Sequence, residues 1–163
     1  MDHFESIVVD YLRADRSLFV NPQCLIQLEV GDTINKGTSW WCDALTVDLR
    51  ISTAFLCEVS YSKSMYALQK RLTAWAKNWE QLQVALQRDS SLPANWHVRP
   101  WLFVPESSIN KVVALLARIK STVGAKFEPK ITTLEMTQPW LYKTWDRPVE
   151  AQKPDSIPKE MVN

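Results

Sequence analysis

Residues 40–61 read WWCDALTVDLRISTAFLCEVSY, and how this stretch folds back on itself decides the architecture. Two runs rich in β-branched and aromatic residues, 40–49 and 53–61, flank a turn around Arg50–Ser52, the pattern of a β-hairpin. Residues two apart on a strand share a face, which groups Asp43 with Leu45, Val47 and Leu49, and Glu58 with Leu56 and Ser60. With the turn centred between Arg50 and Ile51, Asp43 lies directly across from Glu58, their Cβ atoms about 5 Å apart. Two carboxylates at that separation suit a shared divalent cation. Asp48 has the opposite parity and points away from them.

Outward from the hairpin, Phe4, Ile7, Val8, Tyr11 and Leu12 repeat with helical spacing over residues 2–14, and Glu5 falls at the edge of that stripe. A short apolar strand is expected over 23–30, ending at Gly31-Asp32, with a polar loop over 31–39. After the hairpin, Met65, Leu68, Leu72, Trp75, Trp79, Leu82 and Leu86 mark one long amphipathic helix over 63–88. A strand over 96–104, a helix over 108–123 stopped by Gly124, and a strand over 130–136 complete the pattern. The expected fold is a single α/β domain over 1–137, with helices on both sides of a central mixed sheet. From Gln138 four prolines interrupt the chain, and residues 138–163 read as an extended tail anchored by its aromatics.

The 163 residues suffice for one domain with a sizeable core. A net charge of +1 announces neither a nucleic-acid binder nor a membrane-surface protein, so any such affinity has to be local. Three glycines, at 31, 37 and 124, build neither a Walker A loop nor a dinucleotide fingerprint. Cys24, Cys42 and Cys57 have no metal-site spacing, argue against a zinc site or a disulfide framework, and read as small core residues. Charges at Glu5, Asp10 and Arg13 interrupt the amino end before a signal peptide can form, and no run is long enough to span a bilayer. The expectation is a soluble, cytoplasmic protein.

The order of elements, with Asp43 in Cys42-Asp43-Ala44-Leu45-Thr46-Val47-Asp48 and Glu58 in Phe55-Leu56-Cys57-Glu58-Val59-Ser60, resembles the core of the PD-(D/E)xK nuclease superfamily. The resemblance implies a restriction-endonuclease-like α-β-β-β-α-β core, a three-layer α/β/α sandwich that binds Mg²⁺ for phosphodiester cleavage. It assigns Asp43 as the motif aspartate, Glu58 as the motif glutamate and Glu5 as the acid some members add from the first helix. Two positions depart from the motif. Cys42 stands in place of the proline, and Ser60 in place of the lysine, where a hydroxyl brings no positive charge.

Lys63, near the strand end, is the best lysine substitute. Lys70, Lys77 and Arg88 lie with it opposite the apolar stripe, at about 100° per residue, as a basic ridge. Arg71 and Gln69 flank the stripe. With Arg71 the segment 63–88 carries five cations against Glu80 alone, a local excess suited to the phosphate backbone of DNA or RNA. Plainer readings stand beside these. A solvated edge position, or pairing with Arg71, satisfies Glu58 equally well, and Asp43 serves simply as a strand-start residue. Trp75, Trp79 and Trp101 read as core, whereas Trp40, Trp41, Trp140 and Trp145 are free to line a groove or an interface. A non-catalytic interaction protein that keeps the fold and uses such aromatics for self-association into a homo-oligomer or for a partner is the second functional expectation.

Overall fold

The computed structural model describes residues 1–29, 39–123 and 127–141. The chain runs α1 (His3–Arg13), β1 (Leu18–Gln27), β2 (Ser39–Asp48), β3 (Thr53–Val59), α2 (Tyr66–Lys77), α3 (Trp79–Ser90), β4 (His97–Val104), α4 (Ile109–Val123) and β5 (Lys130–Thr133). The five strands form one mixed sheet in sequence order, antiparallel from β1 to β3 and parallel from β3 to β5. Helices flank it, so the α/β class expected from the pattern is the one observed. The tail beyond Leu141, with Trp145, and the loop over 30–38 lie outside the described residues, as does Gly124.

Hydrophobic residues collect in two cores. Val8, Val9, Tyr11 and Leu12 of α1 pack with Ala44, Phe55, Cys57, Trp101 and Phe103 of the sheet. The other core joins Leu68, Leu72 and Trp75 of α2, Leu82 and Leu86 of α3 and Val112 of α4 to Leu45, Ala54, Leu56 and Leu102. Trp75, Trp79 and Trp101 are buried, as their positions in the apolar stripes and strand predict.

Three boundaries differ from the sequence reading, each for a local reason. The long helix is two helices, because Asn78 leaves helical geometry and its side-chain Nδ2 donates to the Ala74 carbonyl at 2.8 Å. That carbonyl is the one the Asn78 backbone N–H would have bonded in a continuous helix. The N–H turns instead to Trp75, and its own carbonyl starts α3 by accepting from Leu82. β1 begins at Leu18 rather than Gln23 and runs through Pro22, which an edge strand tolerates because a missing N–H there breaks no interior ladder. The last strand stops at Thr133 and continues as a 3₁₀ turn over Leu134–Thr137.

One irregularity positions the site. In β1, Leu18 and Val20 pack on the α1 core, while Cys24 and Ile26, of the same parity, pack on the opposite one. In β2, Ala44 faces α1 and Cys42 faces the other way. Strict alternation forbids this, so both strands skip a face at the same level, at Gln23 and Asp43. Gln23 has φ 53°, the left-handed conformation a side chain resists. Pairing holds on either side of the skip, Pro22 with Ala44 and Cys24 with Cys42. Asp43 therefore sits at a seam between the two faces of the sheet.

Candidate active site at the β2–β3 seam

The hairpin register matches the sequence expectation: Leu45 pairs with Leu56 and Ala44 with Cys57, the ladder ends there, and Asp43 and Glu58 are the next residue along each strand. The Val59 backbone N–H donates to Asp43 Oδ2 at 2.7 Å, pinning that carboxylate to the end of β3. Glu58 shares the parity of Leu56 and points into the α2 side, where it is only 5% exposed. There Arg71 of α2 donates from Nη1 to Glu58 Oε1 at 2.6 Å and, from the same nitrogen, to the Trp41 carbonyl at 2.6 Å. The pairing with Arg71, one of the plainer readings of Glu58, is thus present. Each contact engages one oxygen of its carboxylate.

Glu5 reaches the seam from the α1 face. It belongs to a capping box at the start of α1, in which Asp2 accepts from the Glu5 N–H and Glu5 Oε2 accepts from the Asp2 N–H, both at 2.9 Å. Met1, Glu5, Gln23, Trp41, Cys42, Asp43 and Arg71 line a cavity of about 320 Å³. The skip at Asp43 is what lets one cavity touch both α1 and α2.

The electrostatics follow from crowding acids where little water reaches. Burial pushes the Asp43 carboxyl up to about 6, with Glu5 adding to the rise and the Val59 N–H and Arg71 opposing it. Burial and the neighbouring Asp43 charge push Glu58 up to about 8, against the pull of Arg71. Folded protein therefore holds protons that the unfolded chain, with glutamate near 4.5, has already released. The sign is fixed by that order: stability complete below the unfolded value declines as pH rises through the folded one. Urea unfolding between about pH 5 and 8 is expected to show a loss approaching 1.4 kcal/mol per pH unit for a full proton. Glu58→Gln removes most of that slope, and an unchanged slope would place the proton elsewhere.

The other expected site residues lie apart. Ser60 donates its backbone N–H to Phe103, and its Oγ faces the Met65 sulfur at 3.8 Å. Lys63 is exposed, and its carbonyl accepts from Lys111 Nζ at 3.2 Å. Neither lines the cavity. Asp48 points away, as its parity requires, and is held by Arg50, which also reaches Asp15 at 2.8 Å. Lys63, Lys70, Lys77 and Arg88 are all exposed, as the helical angle predicts, though Arg88 is engaged by Asp89 and the Gln27 carbonyl. Met1, Gln23 and Cys42 are lining residues that sequence reasoning missed, and for Gln23 nothing in the residue type announces a left-handed strand position.

Comparisons of the chain with protein-family models, with curated proteins and with solved structures each find no match. Among the described residues no group of three or more His, Cys, Asp and Glu side chains is placed to hold a metal ion, and no helix is long and apolar enough to cross a membrane. A three-ligand cage is not what Mg²⁺ requires, since it keeps several waters and is commonly held by one or two carboxylates together with substrate phosphate. Asp43 lines the cavity with one oxygen engaged, whereas Glu58, held by Arg71, lies behind that guanidinium and does not line it.

Proposed function

We propose that this chain is a Mg²⁺-dependent nuclease, or a nuclease-derived nucleic-acid-processing protein, of restriction-endonuclease-like α/β/α architecture. The observation that carries the reading is the meeting of Asp43 and Glu58 from neighbouring strands beside a cavity walled by Arg71. Two carboxylates raised chiefly by burial, Glu58 further by the Asp43 charge, are poised to exchange protons for a cation. The succession of a helix, three antiparallel strands, helices and a parallel strand supports the same architecture.

In this reading Asp43 and Glu58 hold the ion, with Glu5 adding negative potential from α1. Bound there, Mg²⁺ supplies charge neutralisation at the scissile phosphate and a more acidic water. Arg71 brings to the site, from a helix, the positive charge that Ser60 cannot bring from the strand. Its fixed guanidinium is suited to a phosphate oxygen, and preorganised charge of this kind is a large contributor to phosphoryl chemistry. Ser60 and Lys63 hold places beside the site rather than in it. The exposed Lys63, Lys70 and Lys77 form a surface for the DNA or RNA backbone.

The ion pair itself favours a second reading. Arg71 already neutralises Glu58, so a protein that has lost catalysis would keep this arrangement as a folded scaffold, with Trp41 and Trp140 exposed for a protein partner or a second copy. Calorimetric titration with Mn²⁺ separates the two. The nuclease reading expects binding that strengthens as pH rises from about 6 to 8, by up to tenfold per unit, because the cation must displace a proton. Absence of binding over that range sinks it.

A further inference from the structure

We infer that Cys24 and Cys42 are a redox pair that closes to a disulfide across β1 and β2 when the protein meets a peroxide. The two residues are direct partners in an antiparallel ladder, which gives them a common face and a Cα separation of about 4.5–5.5 Å, inside the range a disulfide spans. The Cys24 Sγ donates to the Leu25 carbonyl at 3.7 Å, and the two thiols are close enough that each shifts the other's titration. Cys42 is buried in the α2–α4 core with Cys24 packed against it, half-buried and closer to solvent. Next to them Gln23, at φ 53°, interrupts the regular strand geometry and leaves the backbone room to adjust as the sulfurs approach. Cys42 also lines the cavity, which gives a small oxidant a second approach.

The chemistry balances with hydrogen peroxide as oxidant. The Cys24 sulfur attacks one peroxide oxygen, the O–O bond breaks, and Cys24 becomes a sulfenic acid as one water leaves. The Cys42 sulfur then displaces the sulfenic hydroxyl, its proton leaves with that hydroxyl as a second water, and the S–S bond forms. Two thiols lose two electrons and peroxide gains them. Cys57 takes no part: it is buried in the α1 core, on the other side of the sheet, with Thr46 Oγ1 at 3.4 Å. The bond would tie the edge strand to its neighbour one residue from Asp43. The inference depends on the strand pairing and not on the carboxylates' chemistry, so it stands whether or not the protein cleaves nucleic acid.

The test is peroxide oxidation of the whole protein under non-denaturing conditions, followed by thiol counting in denaturant and peptide mapping by mass spectrometry. The expected result is loss of two of the three thiols in a monomer, a mass lower by two hydrogens, a Cys24–Cys42 linked peptide, and full reversal by dithiothreitol. Cys24→Ser and Cys42→Ser each prevent the cross-link, whereas Cys57→Ser leaves it unchanged. Mapping on the unmodified sequence keeps the test decisive should a cysteine variant fold poorly. Cys24 driven to sulfinic acid with Cys42 still reduced, or a cross-link only between molecules, overturns the inference.

Discussion

Replacing Asp43 or Glu58 by alanine is expected to lower Mg²⁺- or Mn²⁺-dependent cleavage of DNA or RNA by about 10³-fold or more, equivalent to about 4 kcal/mol of transition-state stabilisation. The size follows from the proposed division of labour. If both carboxylates hold one ion, losing either removes the ion, so the double variant is expected to be no worse than the single ones. Glu58→Gln provides the folding control, because the amide keeps a hydrogen-bond acceptor for Arg71 and removes the buried charge. The measurement is single-turnover cleavage of end-labelled substrates across a metal series, with Mn²⁺ affinity read on the same preparations. Full cleavage by both alanine variants eliminates the nuclease reading, while metal binding without cleavage points to a nuclease-derived protein.

Arg71→Met is the second large effect, and it appears in stability. Methionine keeps much of the side-chain volume but leaves the Glu58 carboxylate without its cation in a place where it is 5% exposed. Breaking a buried pair from one side costs about 3–5 kcal/mol. The penalty is expected only where Glu58 is ionised. Near pH 9 the full cost is felt, whereas near pH 6 the acid takes up a proton and most of the loss is recovered. Joining Glu58→Met to Arg71→Met then restores stability toward or above that of the unmodified protein, since an apolar pair needs no compensation. Urea unfolding of the three variants at the two pH values measures this directly. A pH-independent loss would mean that Arg71 acts through packing instead.

The fold class was legible because long-range order here grows from local pattern. The hairpin register could be counted from its turn, and the alternation around Leu45, Val47, Leu56 and Phe55 gave the pairing that the structure has. The apolar stripe from Met65 to Leu86 gave the helical content, but not the break, because Asn78 interrupts the backbone without disturbing the spacing of Trp75 and Trp79. The strand through Pro22 was hidden by a residue that ordinarily ends one. At the candidate site the placement of Asp43 across from Glu58 was countable, and Arg71 was visible as a partner for Glu58. What periodicity could not yield was the cavity, because it depends on a skip at Gln23 and Asp43 where a period of two fails without any glycine to mark it. Lys63 drew attention by sequence proximity, yet its side chain lies on the solvent side of the turn into α2.

The skip also constrains how this sequence can drift. Because β1 and β2 change sides together, their ends beyond the skip give to the α2–α4 core the residues that strict alternation would have turned toward α1. An insertion or deletion of one residue in either strand alone would turn its outer half inside out, sending Cys24 and Ile26, or Cys42, to the wrong compartment. Length changes here therefore keep both cores filled when they come as matched events on the two strands.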